Sequence, residues 1–452
     1  MPTNAELATH LFVQLVVVLA VCRLIGAALR RLGQTQVVSD MVSGFLLGPT
    51  LLGAMWPALQ HGLFPTKFTL HVGGDATTIT HPSVQILYVL GQLGLVFYMF
   101  VVGLAFDVKL LSRHRGQAAK ISAAGVFAPI LIGGAVGWLL TFSDRFFPGH
   151  IRPWQAAIFI GSAIAITAFP MLARIIYETG LTHTRIGTMA LACAAVDDAV
   201  AWILLALVIS TATGNLLTVL LALGGSLIYV LGMVFIGRPM LRHMASRIRI
   251  DTQQIVVIGA LIALACATLT EVIGVYLVFG AFIAGAVMPR GELAEKLRGW
   301  MEPLTVTVLL PIFFVYSGLQ ADLRLLLNPL TLSVLALITA VAVISKGGAC
   351  YVACRSTGST QKESLSLASL MNARGLMELI LLNIGLEKHL ITTELYTVLA
   401  LMTIATTLAA SPIYLWTQKH FAGPIDQPES YPAQAPHSGR GSESRGSAVG
   451  RV

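Results

Sequence analysis

The chain has 452 residues, of which 56% are hydrophobic and only 11% are charged. Soluble globular domains carry about 25% charged residues, so this composition excludes an ordinary soluble domain. The formal net charge is +8, but the basic residues are spread through short loops and form no basic face with interleaved aromatic residues, which argues against a nucleic-acid partner. The composition indicates a protein of the lipid bilayer.

Apolar runs of about 20 residues, the length that crosses a bilayer core, recur along the chain. They predict an all-α protein with about thirteen transmembrane helices, near 7–29, 35–53, 85–106, 117–141, 154–177, 186–211, 216–237, 253–271, 274–288, 300–319, 330–354, 364–386 and 395–418. Residues 54–84 are expected to form a long external loop. Residues 421–452, which are rich in Pro, Gly and Ser, are expected to form a disordered cytoplasmic tail.

Basic residues are divided unevenly between the two sides of this predicted bundle. Eighteen lysines and arginines lie in or beside the loops that follow odd-numbered helices, whereas five lie in the other loops. The positive-inside rule therefore places the N-terminus outside the cell (inner or plasma) membrane and the C-terminus in the cytoplasm.

Two short sequence matches relate the halves of the chain. Residues 103–107 (Gly-Leu-Ala-Phe-Asp) end the third helix as residues 318–322 (Gly-Leu-Gln-Ala-Asp) end the tenth. Residues 167–170 and residues 372–375 are each followed by a Gly-Leu pair at the same spacing. The distribution of basic residues predicts that the matched helices cross the membrane in opposite directions. Helices 1–6 and 8–13 are therefore predicted to form an inverted-topology repeat, with 216–237 as the linker helix.

Two adjacent carboxylates, Asp197 and Asp198, fall near the middle of the sixth predicted helix. A charged residue at the bilayer centre costs about 2.5–3.5 kcal/mol on insertion scales, so two of them together indicate a function. A buried structural ion pair would account for one aspartate but not for both. Because successive helical positions point in different directions, one carboxylate can face an ion cavity while the other meets a partner.

Lys346 is the one lysine well inside a predicted span and is the natural charge partner of Asp197. A cation that enters the site could then compete with Lys346 for the carboxylate. The alternative is that Lys346 lies close enough to the cytoplasmic end to extend its ammonium group into water.

The fifth and twelfth predicted helices look interrupted. Pro170 removes a backbone hydrogen bond in the fifth helix, and Gly375 occupies the matching place in the twelfth. Thr167 and Asn372 are the polar residues at these two sites. Unwound backbone at membrane depth can line a cavity and hold an ion. A simple proline kink is the alternative.

Two further sites are assigned structural roles. Arg374 and Glu378 are four residues apart on the twelfth helix, and we expect an intrahelical ion pair that orders the crossing rather than a direct role in transport. Asp40 opens the second predicted helix as a candidate N-cap, and no functional role is assigned to it.

These motifs together resemble a known family. The run 162–180 with Thr-Ala-Phe-Pro, the adjacent aspartates, and residues 372–380 (Asn-Ala-Arg-Gly-Leu-Met-Glu-Leu-Ile) are similar to the membrane domain of the second monovalent cation:proton antiporter family, with its Kef-, CHX- and Nap-type members. The similarity covers about residues 7–418.

The resemblance implies an Nha-type antiporter fold within a membrane domain at 1–420. Residues 7–106 and 253–319 would form a dimerisation part, and residues 117–211 and 330–418 a core that translocates the ion. The family's proteins are usually homodimers whose core moves in an elevator-like manner, and we expect the same of this chain.

The resemblance also assigns roles to individual residues. Asp198 matches the essential ion-binding and proton-coupling carboxylate, Asp197 matches the residue before it, and Lys346 matches the basic residue that pairs with a carboxylate. Relatives with this combination tend to be electrogenic. The chain departs from the family pattern in two places. Gln320 stands where many CHX-like sequences have lysine. The tail is short and lacks the regulatory domain of many relatives, so gating by such a domain is not expected.

The sequence therefore predicts a secondary antiporter that exchanges Na⁺ or K⁺ for protons, electrogenically, as a homodimer in the lipid bilayer. We expect no enzymatic activity, no cofactor and no metal beyond the transported monovalent cation. Proton-coupled efflux of an organic cation or ionophore remains an alternative, as does a cation channel. An ATP-driven pump is unsupported because the chain has no Gly-x-x-x-x-Gly-Lys-Ser/Thr motif.

Overall fold

The computed structural model describes residues 3–421 except for 32–33, 35, 50, 66, 73–74, 106–114, 179–180, 182–183, 214–215, 248–251 and 274–275. The predicted tail lies outside the described residues apart from Phe421. So do Asp107 and Gly180, which belong to the two repeat motifs.

Helices make up most of the described chain. The first half contains α1 (Asn4–Arg30), α2 (Gln36–Leu47), α3 (Leu52–Met55), α4 (Pro57–Leu63), α5 (Pro82–Ala105), α6 (Arg115–Leu140), α7 (Pro153–Ala165), α8 (Phe169–Glu178), α9 (Arg185–Thr213) and α10 (Leu216–Gly232). The second half contains α11 (Arg238–Arg247), α12 (Thr252–Ile273), α13 (Leu277–Val287), α14 (Glu292–Leu304), α15 (Leu310–Leu319), α16 (Pro329–Ala342), α17 (Gly348–Ser356), α18 (Gln361–Leu370), α19 (Leu376–Glu387) and α20 (Thr393–His420).

Three pairs of these helices are continuous through single π-helical turns. The turns are Met233–Gly237 between α10 and α11, Thr305–Leu309 between α14 and α15, and Val343–Gly347 between α16 and α17. Among the described residues, ten helical stretches are long and apolar enough to cross a membrane, and α7 and α13 are shorter apolar helices. Helix is present at each predicted position, while the count of thirteen crossings stays a prediction.

The connection between α2 and α5 is more ordered than the predicted external loop. It contains α3, α4 and an antiparallel hairpin of β1 (Lys67–Val72) and β2 (Asp75–Thr80), in which Lys67 pairs with Thr80. Proline at the first position of α4 suits a helix start, and the Thr- and Ile-containing run of β2 favours a strand. The membrane-spanning part remains all-helical.

The helix α2 begins before Asp40, the residue predicted as its N-cap. It starts at Gln36, so Asp40 lies inside the helix, where only 1% of the residue is exposed. Gln36 Nε2 donates to Asp40 Oδ1 at 2.7 Å. The predicted cap is therefore wrong, since the apolar pattern of the helix extends by one turn toward the N-terminus.

The helices pack as two bundles. The scaffold bundle comprises α1, α2, α5 and α12–α15, and the crossing bundle comprises α6–α9 and α16–α20, with α10 packed on both α9 and α12. In the scaffold bundle, a Cβ on Gly318 would lie 2.2 Å from the backbone of Gly44, and one on Gly285 would lie 2.1 Å from the backbone of Phe100. In the predicted repeat, α2 corresponds to α13 and α5 corresponds to α15. The contact of α2 with α15 therefore has its counterpart in the contact of α13 with α5. The packing thus supports the inverted repeat.

Two helices of the crossing bundle are interrupted. The backbone leaves helical geometry at 166–168, between α7 and α8, and again at 371–375, between α18 and α19. The interruptions meet, because Ala168 N donates to Ala373 O at 3.4 Å. The predicted crossing of two broken helices is confirmed, and a simple proline kink does not describe it.

The residues predicted to cause the breaks lie at their edges. Pro170 is the second residue of α8, where its missing N–H costs nothing because first-turn amides have no intrahelical partner. Gly375 immediately precedes α19 with φ 149°, a conformation that favours glycine. A Cβ there would also lie 2.9 Å from Met171 Cγ. Proline and glycine therefore mark where each second half-helix starts.

Candidate functional site

The two aspartates of α9 lie where the broken helices cross, and each is only 1% exposed. Their surroundings differ sharply. The Asp197 carboxylate accepts hydrogen bonds from three side chains: Ser122 at Oδ1, and Thr167 (2.6 Å) and Lys346 (3.0 Å) at Oδ2. An ionised carboxylate is acceptor-only, so this arrangement favours a permanently charged Asp197.

Lys346 lies in the π-helical turn between α16 and α17 and is completely buried. Its Nζ donates to Asp197 Oδ2, to Gly125 O at 3.3 Å and to Ala165 O. These three acceptors match the three N–H donors of an ammonium group. The alternative in which Lys346 extends toward water is wrong, because none of its side chain is exposed.

The Asp198 carboxylate has a single donor. Its Oδ1 accepts from Phe169 N at 3.4 Å, and its Oδ2 has no hydrogen-bond partner within the described part of the chain. Phe169 is the first residue of α8, so the positive end of that half-helix dipole lies beside the carboxylate. Asp198 therefore combines a favourable site for negative charge with one oxygen that no described protein group occupies.

The second break supplies Asn372, which packs against the turn that contains Lys346. A Cβ on Gly347 would lie 2.6 Å from Asn372 Nδ2. This nitrogen donates to Ala368 O at 3.1 Å, and Asn372 Oδ1, which is buried, has no partner among the residues that the structure describes. Amide and carboxylate oxygens are hard ligands suited to small cations.

Arg374 and Glu378 are both fully buried, and their closest atoms, Nη1 and Oε2, are 3.8 Å apart. The predicted ion pair is therefore present, but Arg374 lies in the break, two residues before α19 begins, and not on the same helix as Glu378. Arg374 Nη1 donates instead to Ala163 O at 2.9 Å, and Arg374 N donates to Thr407 Oγ1 at 3.0 Å. The pair is thus loose, whereas the Lys346–Asp197 pair is closed.

Sequence reasoning missed Ser122 and the carbonyl groups of Gly125 and Ala165. Serine is common in membrane helices, and a carbonyl has no residue-type signature, so no pattern singles them out. The structure brings together the other predicted site residues, Asp197 and Asp198 included. Within the described ranges, no group of three or more His, Cys, Asp or Glu could hold a metal ion.

This arrangement can bind a proton and a cation in alternation. The oxygen of Asp198 that has no partner among the described residues could take either a proton or a dehydrated cation. Either occupant would neutralise the same carboxylate.

Comparison with known proteins gives four likenesses, the first to a family model. The model described as "Sodium/hydrogen exchanger, transmembrane" matches residues 16–416. The "Na(+)/H(+) antiporter NhaS4" of Synechocystis is 38% identical, over 91% of this chain and 98% of that protein. The "Cation/H(+) antiporter 18" of Arabidopsis thaliana is 33% identical over 90% of this chain, which spans only 48% of the plant protein.

A solved structure shares the fold. The sodium proton antiporter MjNhaP1 from Methanocaldococcus jannaschii superposes with a TM-score of 0.66, over 91% of this chain and 99% of that chain. The identity is 14%, so this likeness supports the architecture alone.

Proposed function

Because this chain belongs to the sodium/hydrogen exchanger family, we propose that it is a secondary antiporter that exchanges a monovalent cation, Na⁺ or K⁺, for protons. The observation that supports this most directly is the buried Asp198 carboxylate, with one oxygen that no described protein group occupies, at the crossing of two broken helices. The cell membrane is the proposed location, with the N-terminus outside and the C-terminus in the cytoplasm.

Asp198 is the exchange site in this proposal. In the proton-loaded state its carboxyl group is neutral, and in the cation-loaded state its free oxygen binds the cation with help from nearby oxygens. Asp197 remains charged in both states because Ser122, Thr167 and Lys346 donate to it. While it is protonated, Lys346 cancels this negative charge, so that Asp198 by itself exchanges one positive charge.

Movement of the crossing bundle past the scaffold bundle would change the side to which the site opens. Hydrogen bonds join the bundles near α15: Asn383 Nδ2 donates to Ser317 Oγ, and Tyr396 OH donates to Ser317 O, both at 2.7 Å. Such contacts can break and re-form at a cost of about 1 kcal/mol each. Elevator-like transport by a homodimer, joined through the scaffold bundle, is the proposed arrangement.

Exchange is proposed to be electrogenic, with two protons moved for each cation. Asp198 accounts for one proton, so a second titratable group must change its protonation state in each cycle. The sequence suggests Lys346 for this second group. A membrane potential would then drive exchange, with a free energy of about 2.3 kcal/mol per charge per 100 mV. The dependence of the exchange rate on an imposed potassium-diffusion potential in liposomes measures this effect.

The experiment that tests the exchanger is Asp198→Asn, reconstituted in liposomes that contain a pH-sensitive dye. Asparagine has almost the same size but binds no proton, so cation-dependent dye recovery should disappear. Asp322→Asn is the matched control, because Asp322 lies beyond the end of α15, paired with Arg324 at 2.9 Å. Undiminished exchange by Asp198→Asn would show that the proposed site is wrong.

A panel of cations in the same assay distinguishes the two alternative functions, efflux of an organic cation or ionophore and a cation channel. Dye recovery with Na⁺ or K⁺ alone supports inorganic cation exchange, whereas recovery only with an organic cation or ionophore indicates an efflux protein. Cation flux without proton movement would indicate a channel.

A further inference from the structure

Glu378, in the first turn of α19, is a completely buried carboxyl group. Neither of its oxygens has a hydrogen-bond partner in the described part of the protein, and none of its side chain is exposed. An ionised carboxylate in that setting is costly, and such a group commonly neutralises by taking up a proton. Among the three buried carboxylates of the crossing, Asp197 has three donors, Asp198 has one and Glu378 has none.

The nearest cation does not satisfy Glu378. Arg374 Nη1 is 3.8 Å from Glu378 Oε2 and donates to Ala163 O instead, while Arg374 Nε and Nη2 have no partner among the described residues. Four-residue spacing is not the obstacle, since Arg298 and Glu302 close to 2.7 Å at the same spacing on the regular helix α14. The broken backbone at Arg374 holds the two groups apart.

Among the residues that the structure describes, the elements around Glu378 offer no further charge of opposite sign. Arg374 and the ammonium of Lys346 are the cations that act on it. Thr403 of α20 lies beside it, but its hydroxyl donates to Leu399 O at 2.9 Å. The helix α9, which also packs against α19, presents the two aspartates of the site, and α7 contains no titratable residue.

Lys346, by contrast, is poorly placed to release a proton. All three N–H groups of its ammonium have an acceptor, and Asp197, at 3.0 Å, loses its charge partner if Lys346 becomes neutral. Deprotonation would therefore leave a buried carboxylate uncompensated, which is strongly unfavourable.

We propose that Glu378, and not Lys346, binds the second transported proton. Glu378 is protonated in the state in which Asp198 is protonated. It releases its proton when a cation occupies Asp198, because the added positive charge and those of Arg374 and Lys346 then stabilise the carboxylate. The only bond that forms or breaks is the O–H bond of the carboxyl group, and the proton leaves to the side from which the cation enters. This assignment rests on the proposed exchange function.

The test is the cation gradient at which exchange stops, measured in liposomes with a pH difference of one unit and no membrane potential. Two protons per cation balance a gradient of about 100-fold, whereas one proton balances about 10-fold. We expect about 100-fold for the unmodified protein with Na⁺, and about 10-fold for Glu378→Gln, which binds no proton. Glu378→Asp retains a titratable carboxyl and should restore the larger gradient.

Lys346→Arg provides an independent arm, because a guanidinium group does not release its proton in proteins. We expect this variant to balance about 100-fold, and a value near 10-fold would assign the second proton to Lys346 and overturn the proposal. A value near 100-fold for Glu378→Gln would overturn it equally. If Glu378→Gln is inactive, Lys346→Arg decides. If Asp198→Asn is inactive while Glu378→Gln still balances the same gradient as the unmodified protein, this inference is rejected and the proposed exchange function stands.

Discussion

The crossing bundle contains two fully buried pairs of opposite charge, Lys346 with Asp197 and Arg374 with Glu378. The first pair joins α9 to the turn between α16 and α17, closes to 3.0 Å and satisfies both partners with further hydrogen bonds. The second is local in sequence, stays at 3.8 Å and leaves both carboxylate oxygens without hydrogen bonds among the described residues.

The difference follows from where the backbone supplies partners. Lys346, in a π-helical turn, donates to Gly125 O of α6 and to Ala165 O at the end of α7, where the first break begins. Thr167 of that break donates to Asp197. At the second break, Arg374 turns toward Ala163, away from its own carboxylate. A closed pair holds charge in place, whereas a loose one leaves a carboxyl group free to change its protonation state.

The largest expected effect is that of Lys346→Ala on stability. Removal of the ammonium leaves Asp197 buried and uncompensated, which costs about 3–5 kcal/mol. To stay buried, Asp197 must take up a proton, and the unfolded aspartate releases that proton above about pH 4, so the loss of stability grows as the pH rises. Thermal unfolding of the purified protein at about pH 5 and about pH 8 measures this difference.

The matched control is Lys388→Ala, which removes a lysine that is 51% exposed. It should leave the melting temperature almost unchanged at both pH values. Equal losses for Lys346→Ala at the two pH values would contradict a charged, closed pair with Asp197.

Much of the membrane architecture could be predicted because lipid imposes simple requirements. Long apolar runs must form helices in a bilayer, and proline or glycine within them indicates interruptions. The breaks lie at Thr167 and Asn372, as the sequence predicts, and Gly375 is the last residue of the second break. Pro170 lies just past the first break, because proline is tolerated in the first turn of a helix, here α8. The hairpin of β1 and β2 lies within residues 54–84, which the sequence analysis predicts as one long external loop.

The candidate site could be predicted only where a residue type is rare at membrane depth. Adjacent aspartates and a single central lysine stand out in an apolar sequence, so the pairing of Asp197 with Lys346 could be inferred. Ser122 could not, because its type is ordinary in membrane helices. The geometry of Arg374 depended on where the break ends, and helix ends are the least certain feature of a sequence-based prediction.

Glu378→Gln should have a smaller effect on stability than Lys346→Ala, below about 1 kcal/mol at about pH 6. The substitution removes no hydrogen bond between protein groups, and at this pH the carboxyl group is neutral according to the proposal. Thermal unfolding provides the measurement, with Asp197→Asn as the contrasting variant, because that change leaves Lys346 without its carboxylate. A loss as large for Glu378→Gln as for Asp197→Asn would mean that Glu378 is a permanently charged partner of Arg374.

The smallest effect is expected for Arg298→Gln, although Arg298 and Glu302 form the closest of the three pairs, at 2.7 Å. Both side chains are substantially exposed, at 52% and 37%, so water and salt screen their attraction and the pair contributes no more than about 0.5 kcal/mol. Thermal unfolding at low and high salt should therefore show almost no shift. A loss comparable to that of Lys346→Ala would mean that distance, rather than burial and the completeness of hydrogen bonding, determines what an ion pair contributes here.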